Sequence, residues 1–134
     1  MIRASLRVAA LALLLGACAP LYVPLVPGDT LTPEPTFRLR GDALLEVVIG
    51  ADDAATLLLR VRADEVPEAG WLAVQWFGPA GGARASDSLW FETDDVGRER
   101  LWPAPPQLRV SAGEWRAVLS WQGRVVRQLR VEVP

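Results

Sequence analysis

Apolar and polar residues alternate at every second position through most of the chain from residue 36 onward. Phe37 and Leu39 alternate with arginines, and residues 57–61 place leucine or valine at every second position. A period of two is typical of a β-strand with one buried face. Residues 44–49 are more continuously apolar, which predicts a strand buried on both faces. No stretch in this part of the sequence has the sustained spacing of an amphipathic helix.

The middle of the chain predicts further strands separated by loops. Residues 71–77 predict a strong strand with its larger apolar residues on one face, and the glycine- and proline-rich residues 78–82 predict the loop that ends it. Another strand is predicted over residues 88–93. Residues 94–106 are polar and then rich in proline, which indicates a loop, and a short strand is predicted over residues 108–110.

The clearest unit is a β-hairpin at the carboxyl end of the chain. Residues 114–121 alternate strictly, and Gln122-Gly123 supplies a two-residue turn. Residues 124–133 return as the second strand. The adjacent apolar pair Val125-Val126 is out of phase with this alternation, which predicts a β-bulge.

These patterns predict an all-β domain over residues 36–134, built as an antiparallel β-sandwich of about seven or eight strands. The segment Ala112-Gly113-Glu114-Trp115 resembles the last two strands of bacterial immunoglobulin-like or fibronectin type III-like domains, and Trp76 resembles the core tryptophan of the immunoglobulin fold. The cysteine pair that flanks this tryptophan in immunoglobulins is missing from the sequence. The resemblance implies an immunoglobulin-like sandwich with a binding or structural role.

The amino terminus carries a different pattern, in which two arginines precede an apolar run that ends at Leu15-Gly16-Ala17-Cys18. The run is too short to span a bilayer, and small residues precede the cysteine. This segment resembles the lipobox of bacterial lipoproteins. The resemblance implies that residues 1–17 are a signal peptide and that Cys18 starts the mature chain, with diacylglycerol on its sulfur and a further acyl chain such as palmitate. The alternatives are an ordinary secretory signal with an incidental cysteine, and an uncleaved membrane helix, which the prolines after Cys18 disfavour.

Residues 18–35 hold five prolines and predict an extended, semi-rigid tether between the lipid anchor and the domain. Alternatively, the apolar residues 22–26 pack on the domain as an edge strand, which the alternate prolines discourage. Anchoring implies a place in the cell envelope, facing outside the cytoplasm. Ala19 is not the aspartate that commonly retains lipoproteins at the inner membrane, so the resemblance favours the outer membrane in a cell that has two.

Composition excludes several classes of function. The sequence has no histidine and no lysine, and its one cysteine is the predicted lipidation site. Disulfides, thiolate nucleophiles, the usual zinc ligands and histidine or lysine catalysis are therefore excluded, which leaves only carboxylate chemistry. Without its signal peptide the chain keeps 12 of its 14 basic residues against 16 acidic ones, a net charge of −4, which disfavours nucleic acid as a partner. No cofactor and no metal site are expected.

Six tryptophans are many for a chain of this length. Strand alternation predicts that Trp76, Trp115 and Trp121 fill the core. The other three are the candidate binding residues, because an exposed tryptophan can stack on a sugar ring or form a hot spot for a protein partner, although ordinary packing is the usual fate of such residues. Among them we expect Trp102, in the proline-rich loop, to be the best exposed. The three candidates are Trp71, Trp90 and Trp102.

Charged residues offer further candidates with simpler interpretations. The pairs Asp52-Asp53 and Asp94-Asp95 present oxygen ligands for Ca²⁺, but their spacing does not match a calcium loop and favours solvated turns. Glu92 and Glu114 are a conceivable glycosidase pair that nothing in the sequence brings together. Four arginines on predicted strands form a basic stripe if their strands pair, and we expect nearby carboxylates to neutralise it. They are Arg38, Arg40, Arg60 and Arg62.

The sequence therefore predicts a lipid-anchored cell-envelope protein whose sandwich domain is a non-enzymatic interaction or structural module. The expected partners are the membrane, reached through the lipid anchor, and another envelope protein. A carbohydrate-binding module that uses exposed tryptophans is the first alternative. A carboxylate-dependent hydrolase is the second and requires two converging acids in a cleft.

Overall fold

A computed structural model describes residues 36–134, so the predicted signal peptide, Cys18 and the tether lie outside the described residues. In the described part, nine strands and one short 3₁₀ helix at Thr93–Asp95 follow one another, and every paired strand is antiparallel. The strands are β1 Arg38–Leu39, β2 Leu44–Ile49, β3 Ala55–Val61, β4 Ala63–Glu65, β5 Gly70–Phe77, β6 Ala83–Phe91, β7 Arg100–Pro103, β8 Gly113–Trp121 and β9 Arg124–Val133.

The strands form two principal sheets. One has the order β2-β3-β7 and the other the order β6-β5-β8-β9, while β1 and β4 pair with each other as an extension of β2 and β3. Connections after β4, β6 and β7 cross from one principal sheet to the other, as in the Greek-key sandwiches of immunoglobulin type. β6 follows β5 in the chain and pairs with it at the edge of the sheet that contains β8 and β9. Variable-type immunoglobulin domains add their C′ strand to the corresponding sheet. The prediction of an all-β, antiparallel sandwich is confirmed.

The core lies between the inward faces of the two sheets, where the period-two pattern places the large apolar residues. Trp76 and Trp115 are almost completely buried, and Trp121 stacks on Phe37 with ring centroids 4.4 Å apart. The prediction that these three tryptophans fill the core is confirmed. The indole N–H of Trp76 has no hydrogen-bond partner among the described residues. Other fully buried side chains are Leu57, Leu59, Val61, Leu72, Val74, Phe91 and Leu119.

The β8–β9 hairpin forms as the sequence predicts. Gln122 and Gly123 have φ values of 49° and 78°, the left-handed pair that a two-residue type I′ turn requires. Register shifts between Leu119 and Ser120, whose partners are Arg127 and Val125, so Val126 is the extra residue of a bulge. The predicted turn and the predicted bulge are both confirmed.

Gly113 explains why a glycine stands two residues before Trp115. Its φ is +124°, and a Cβ there would approach Pro79 to 2.7 Å. The close approach lets β8 begin beside the loop after β5, and Trp115 donates its indole N–H to the carbonyl of Ser111 across 2.8 Å. The Gly-x-Trp spacing thus combines a tight backbone contact with a satisfied buried indole.

The structure differs from the sequence predictions at three strands. β2 is not buried on both faces, because it is the edge strand of a sheet whose outer face is open; Leu44 and Val48, on that face, are 47% and 40% exposed. β6 begins at Ala83, earlier than expected, because an edge strand tolerates polar residues on its open face. Residues 108–110 form no strand, whereas the predicted loop at residues 100–103 forms β7.

Candidate functional site

Trp71 and Trp90 face each other across β5 and β6 on the outer face of the four-stranded sheet. Their ring centroids lie 5.0 Å apart in an edge-to-face arrangement, with the planes at 70°. The side chains point outward because their neighbours Leu72 and Phe91 point into the core. Trp71 is 58% exposed and Trp90 is 38% exposed. The result is an exposed pair of large aromatic side chains held on paired strands.

A hydrogen bond fixes one member of this pair. Trp90 donates its indole N–H to Oε1 of Glu92 across 2.7 Å. The Trp90 ring in turn supports the Trp71 ring through the edge-to-face contact. Because both rings are already positioned, a ligand that stacks on Trp71 orders few additional side chains when it binds.

A shallow depression of about 530 Å³ lies beside the tryptophan pair on the same sheet face. Its floor is made of small side chains, since Ala73 pairs with Ser88 on one side and with Ser120 on the other. Gln75 and Ser86, the next pair along the strands, complete the floor. The depression therefore offers hydroxyl and amide groups, and the tryptophan pair is the next outward-facing pair along β5 and β6, an arrangement that fits a ligand with both apolar faces and hydroxyl groups.

Asp87 also lines this depression, but its carboxylate oxygens are already engaged. Oδ1 accepts a hydrogen bond from the backbone N–H of Ser88 at 2.8 Å, and Oδ2 accepts one from the indole of Trp102 at 3.0 Å. The negative charge is thus partly compensated by two donors of the protein.

The expectation that Trp102 is the best exposed tryptophan is wrong. Residues 100–103 pair with β3, and the register places Trp102 opposite Leu59, facing the core, where it is only 5% exposed. Proline is tolerated there because β7 is an edge strand. The structure therefore brings Trp71 and Trp90 together and separates Trp102 from them, on the other sheet.

The two acidic pairs have different surroundings. Asp52 accepts a hydrogen bond from the N–H of Ala54 within a turn where Asp53 has φ 59°, which agrees with the solvated-turn interpretation. Asp95 is buried at 5% exposure, which corrects that interpretation for this residue. It accepts hydrogen bonds from the backbone of Glu92 at 2.7 Å and from two arginines, and so organises the connection between β6 and β7. Those arginines are Arg98 and Arg100, at 3.2 and 3.3 Å.

Glu92 and Glu114 do not form a pair. Glu92 follows Phe91, whose partner Gly70 begins β5, whereas Glu114 precedes Arg116, whose partner Phe77 ends β5. β5 spans eight residues between these levels, roughly 23 Å at the usual rise per residue. Glycosidase carboxyl groups lie about 5 to 10 Å apart, so these two glutamates do not flank one glycosidic bond.

The four strand arginines do not form an unpaired basic stripe, because each contacts a carboxylate, as the sequence led us to expect. Arg60 bridges Glu46 and Glu99 at 2.7 and 2.9 Å, and the hydrogen bond with Glu46 raises the pKa of Arg60 above its ordinary value. Arg62 reaches the other oxygen of Glu99 at 2.8 Å. The remaining pairs are Arg38 with Glu65 and Arg40 with Asp64.

Residues 36–134 contain no group of three or more His, Cys, Asp or Glu side chains arranged to hold a metal ion. Within the same residues, no helix has the length and apolarity needed to cross a membrane. Comparison of the chain with protein-family models, curated proteins and solved structures gives no match. The candidate site therefore stands on its geometry: two exposed tryptophans beside a hydroxyl-lined depression.

Proposed function

We propose that the protein is a lipid-anchored cell-envelope protein whose sandwich is a non-enzymatic binding module, with the Trp71–Trp90 pair as part of its binding surface. The single observation that carries this proposal is the exposure of two large aromatic side chains in contact on one sheet face. Exposed aromatic side chains that form a contiguous patch mark interaction surfaces, and tryptophan is enriched at binding hot spots.

Lipid attachment at Cys18 is the part of the proposal that the amino-terminal sequence supports. We expect metabolic labelling with palmitate to mark the protein and Cys18→Ser to release it from the membrane fraction. Ser5→Ala, within the signal segment, is the matched control and should leave labelling unchanged. Unlabelled protein, or a Cys18→Ser form that stays membrane-bound, would contradict lipid anchoring. Density separation of the two membranes of a double-membraned host then tests the outer-membrane location.

The partner that the sequence favours is another envelope protein, and the tryptophan pair supports it as an aromatic hot spot. Photo-crosslinking in cells provides the test, with the crosslinker at Ser88, beside the pair, and at Leu44, on the open face of the other sheet. We expect a protein adduct from position 88 that Trp71→Ala abolishes and no equivalent adduct from position 44. Recovery of monomer alone at saturating crosslinking would argue against a protein partner.

A polysaccharide is a second candidate ligand, and the polar floor of the depression favours it. A dry protein interface is apolar at its centre, whereas this sheet face offers hydrogen-bonding side chains beside the tryptophan pair, namely those of Gln75, Ser86, Ser88 and Ser120. The polarised C–H groups of a sugar ring pack well on the electron-rich face of an indole. Titration with isolated envelope polysaccharide should shift tryptophan emission, and Trp71→Ala should remove most of the shift. An unchanged shift in that variant would exclude the pair as the platform.

A further inference from the structure

A second depression adjoins the first and changes the chemistry of the surface. It has a volume of about 330 Å³, and Ser86 lines both depressions. Its charged lining residues are Arg84 and Arg109, and Gln107 also lines it. The two depressions together form a groove that follows β6 from the tryptophan pair at one end to these two arginines at the other.

The two arginines differ from most arginines of the domain in having no carboxylate partner among residues 36–134. Arg116 lies over the ring of Phe77, and Arg127 donates to the carbonyl of Leu39. Neither Arg84 nor Arg109 makes an ion pair or a side-chain hydrogen bond within the described part of the chain. By contrast, the arginines that pair with Asp or Glu are Arg38, Arg40, Arg60, Arg62, Arg98, Arg100 and Arg130.

Backbone geometry sets the position of Arg84. Trp76 pairs with Ala85 and Phe77 with Ala83, so Arg84 is the extra residue of a bulge in β6. A bulge redirects its side chain away from the regular alternation. The aliphatic part of the Arg84 side chain packs against Gly78, where an added Cβ would lie 3.1 Å from the Arg84 Cγ. The position of this part is therefore restricted, and mainly the guanidinium group can move to meet a ligand.

We propose that this groove binds an acidic polysaccharide, with a sugar ring on the Trp71–Trp90 pair and a carboxylate of the same polymer on Arg84 and Arg109. The inference rests on the polysaccharide candidate above and adds the charge of the ligand. Residues 84–90 span about 20 Å in an extended strand, enough for several sugar rings. Guanidinium groups bind carboxylates through paired hydrogen bonds, and the one carboxylate in the groove, Asp87, is occupied by its own donors.

An acidic glycan fits this surface better than other polyanions. A nucleic acid requires a broad basic surface, whereas the chain carries a formal net charge of −2 and most arginines of the described part are paired with carboxylates. Two arginines at one end of a hydroxyl-lined groove instead match a polymer that carries isolated charges among many hydroxyl groups. Specificity would then come from the spacing between the aromatic pair and the arginine pair.

Polygalacturonate and its methyl ester make a suitable probe pair, because they differ in charge and share the same backbone. We would measure both affinities with the full mature chain in detergent, at low salt and at about 0.5 M NaCl, where the Debye length is only a few ångströms. We expect the acid to bind about five- to tenfold more tightly than the ester at low salt, as two exposed ion pairs allow. High salt should remove this difference.

Two variants test whether the preference for the acid over the ester comes from the groove. Arg84→Gln combined with Arg109→Gln should bring the acid to the affinity of the ester, and Trp71→Ala should weaken both. Arg124→Gln is the matched control, because Arg124 lines a different pocket and has no carboxylate partner in the described part. Equal binding of acid and ester, or a preference that survives the double variant, would overturn the acidic specificity and leave polysaccharide binding standing. Failure of both polymers to bind would overturn both.

Discussion

The indole N–H of Trp102 donates a hydrogen bond to Oδ2 of Asp87 across 3.0 Å and joins the two sheets of the sandwich. Trp102 lies on β7, the edge of the three-stranded sheet, and Asp87 lies on β6, the edge of the four-stranded sheet. Asp87 also lines the depression beside the tryptophan pair. A core residue of one sheet thus fixes an edge-strand side chain of the other.

Trp102→Phe should therefore reduce stability without any ligand present. Loss of the hydrogen bond and of part of the buried ring should lower the free energy of unfolding by about 2–3 kcal/mol. Urea denaturation measures this value, and Trp71→Phe, at an exposed position, should change it by less than about 0.5 kcal/mol. A double-mutant cycle with Asp87→Ala isolates the hydrogen bond; a coupling energy near zero would show that the contact does not stabilise the domain.

Asp95 provides a second stability test, with its sequence neighbour as the control. Asp95→Asn keeps one acceptor but weakens the bonds to Arg98 and Arg100, and we expect a loss of about 2–4 kcal/mol in the free energy of unfolding. Asp94→Asn removes the same charge at an exposed position and should change stability by less than about 0.5 kcal/mol. Equal effects of the two substitutions in thermal or urea denaturation would contradict a specific role for Asp95.

Alanine substitutions at two exposed glycines, one in the β8–β9 turn and one in the β5–β6 loop, should differ in their effect on stability. Gly123 and Gly82 both have open space where a Cβ would be added, but only Gly123 has a positive φ, of 78°. Gly123→Ala should therefore cost about 1 kcal/mol of stability through backbone strain, since the left-handed region costs that much for a side chain. Gly82→Ala should be neutral or slightly stabilising because it restricts the unfolded chain. Comparison of the melting temperatures of the two variants checks the difference.

The tryptophan pair predicts a variant that separates binding from folding. Trp71→Ala should lower the affinity for the ligand by at least tenfold, the usual loss at an aromatic hot spot. It should change the free energy of unfolding by less than about 1 kcal/mol. Leu101→Ala removes another exposed apolar side chain, on the opposite sheet, and should leave binding unchanged. A Trp71→Ala protein that folds and binds normally would place the binding surface elsewhere.

Local signals explain what the sequence predicts well. The β8–β9 hairpin depends on neighbouring residues, because the alternation, the Gln122-Gly123 turn and the extra residue Val126 all lie within one short segment. The burial of Trp76 follows in the same way from its own strand, which alternates regularly.

Features that depend on distant pairing could not be predicted. Trp102 is buried because residues 100–103 pair with β3, about forty residues earlier in the chain. No local sequence pattern indicates this pairing. Asp95 is buried because Arg98 and Arg100 reach it, which depends on the path of the chain after β6. The contact of Trp71 with Trp90 requires the register of β5 against β6. The lack of a carboxylate partner for Arg84 and Arg109 within residues 36–134 depends on where the carboxylates of that part of the chain lie.

β6 serves two purposes through its two sides. The side chains of Asp87 and Phe91 face the opposite sheet and hold the sandwich together, whereas Ser86, Ser88 and Trp90 face water. Substitutions on the open side leave the contacts between the two sheets in place, so the water-facing residues of this strand can change while the fold persists.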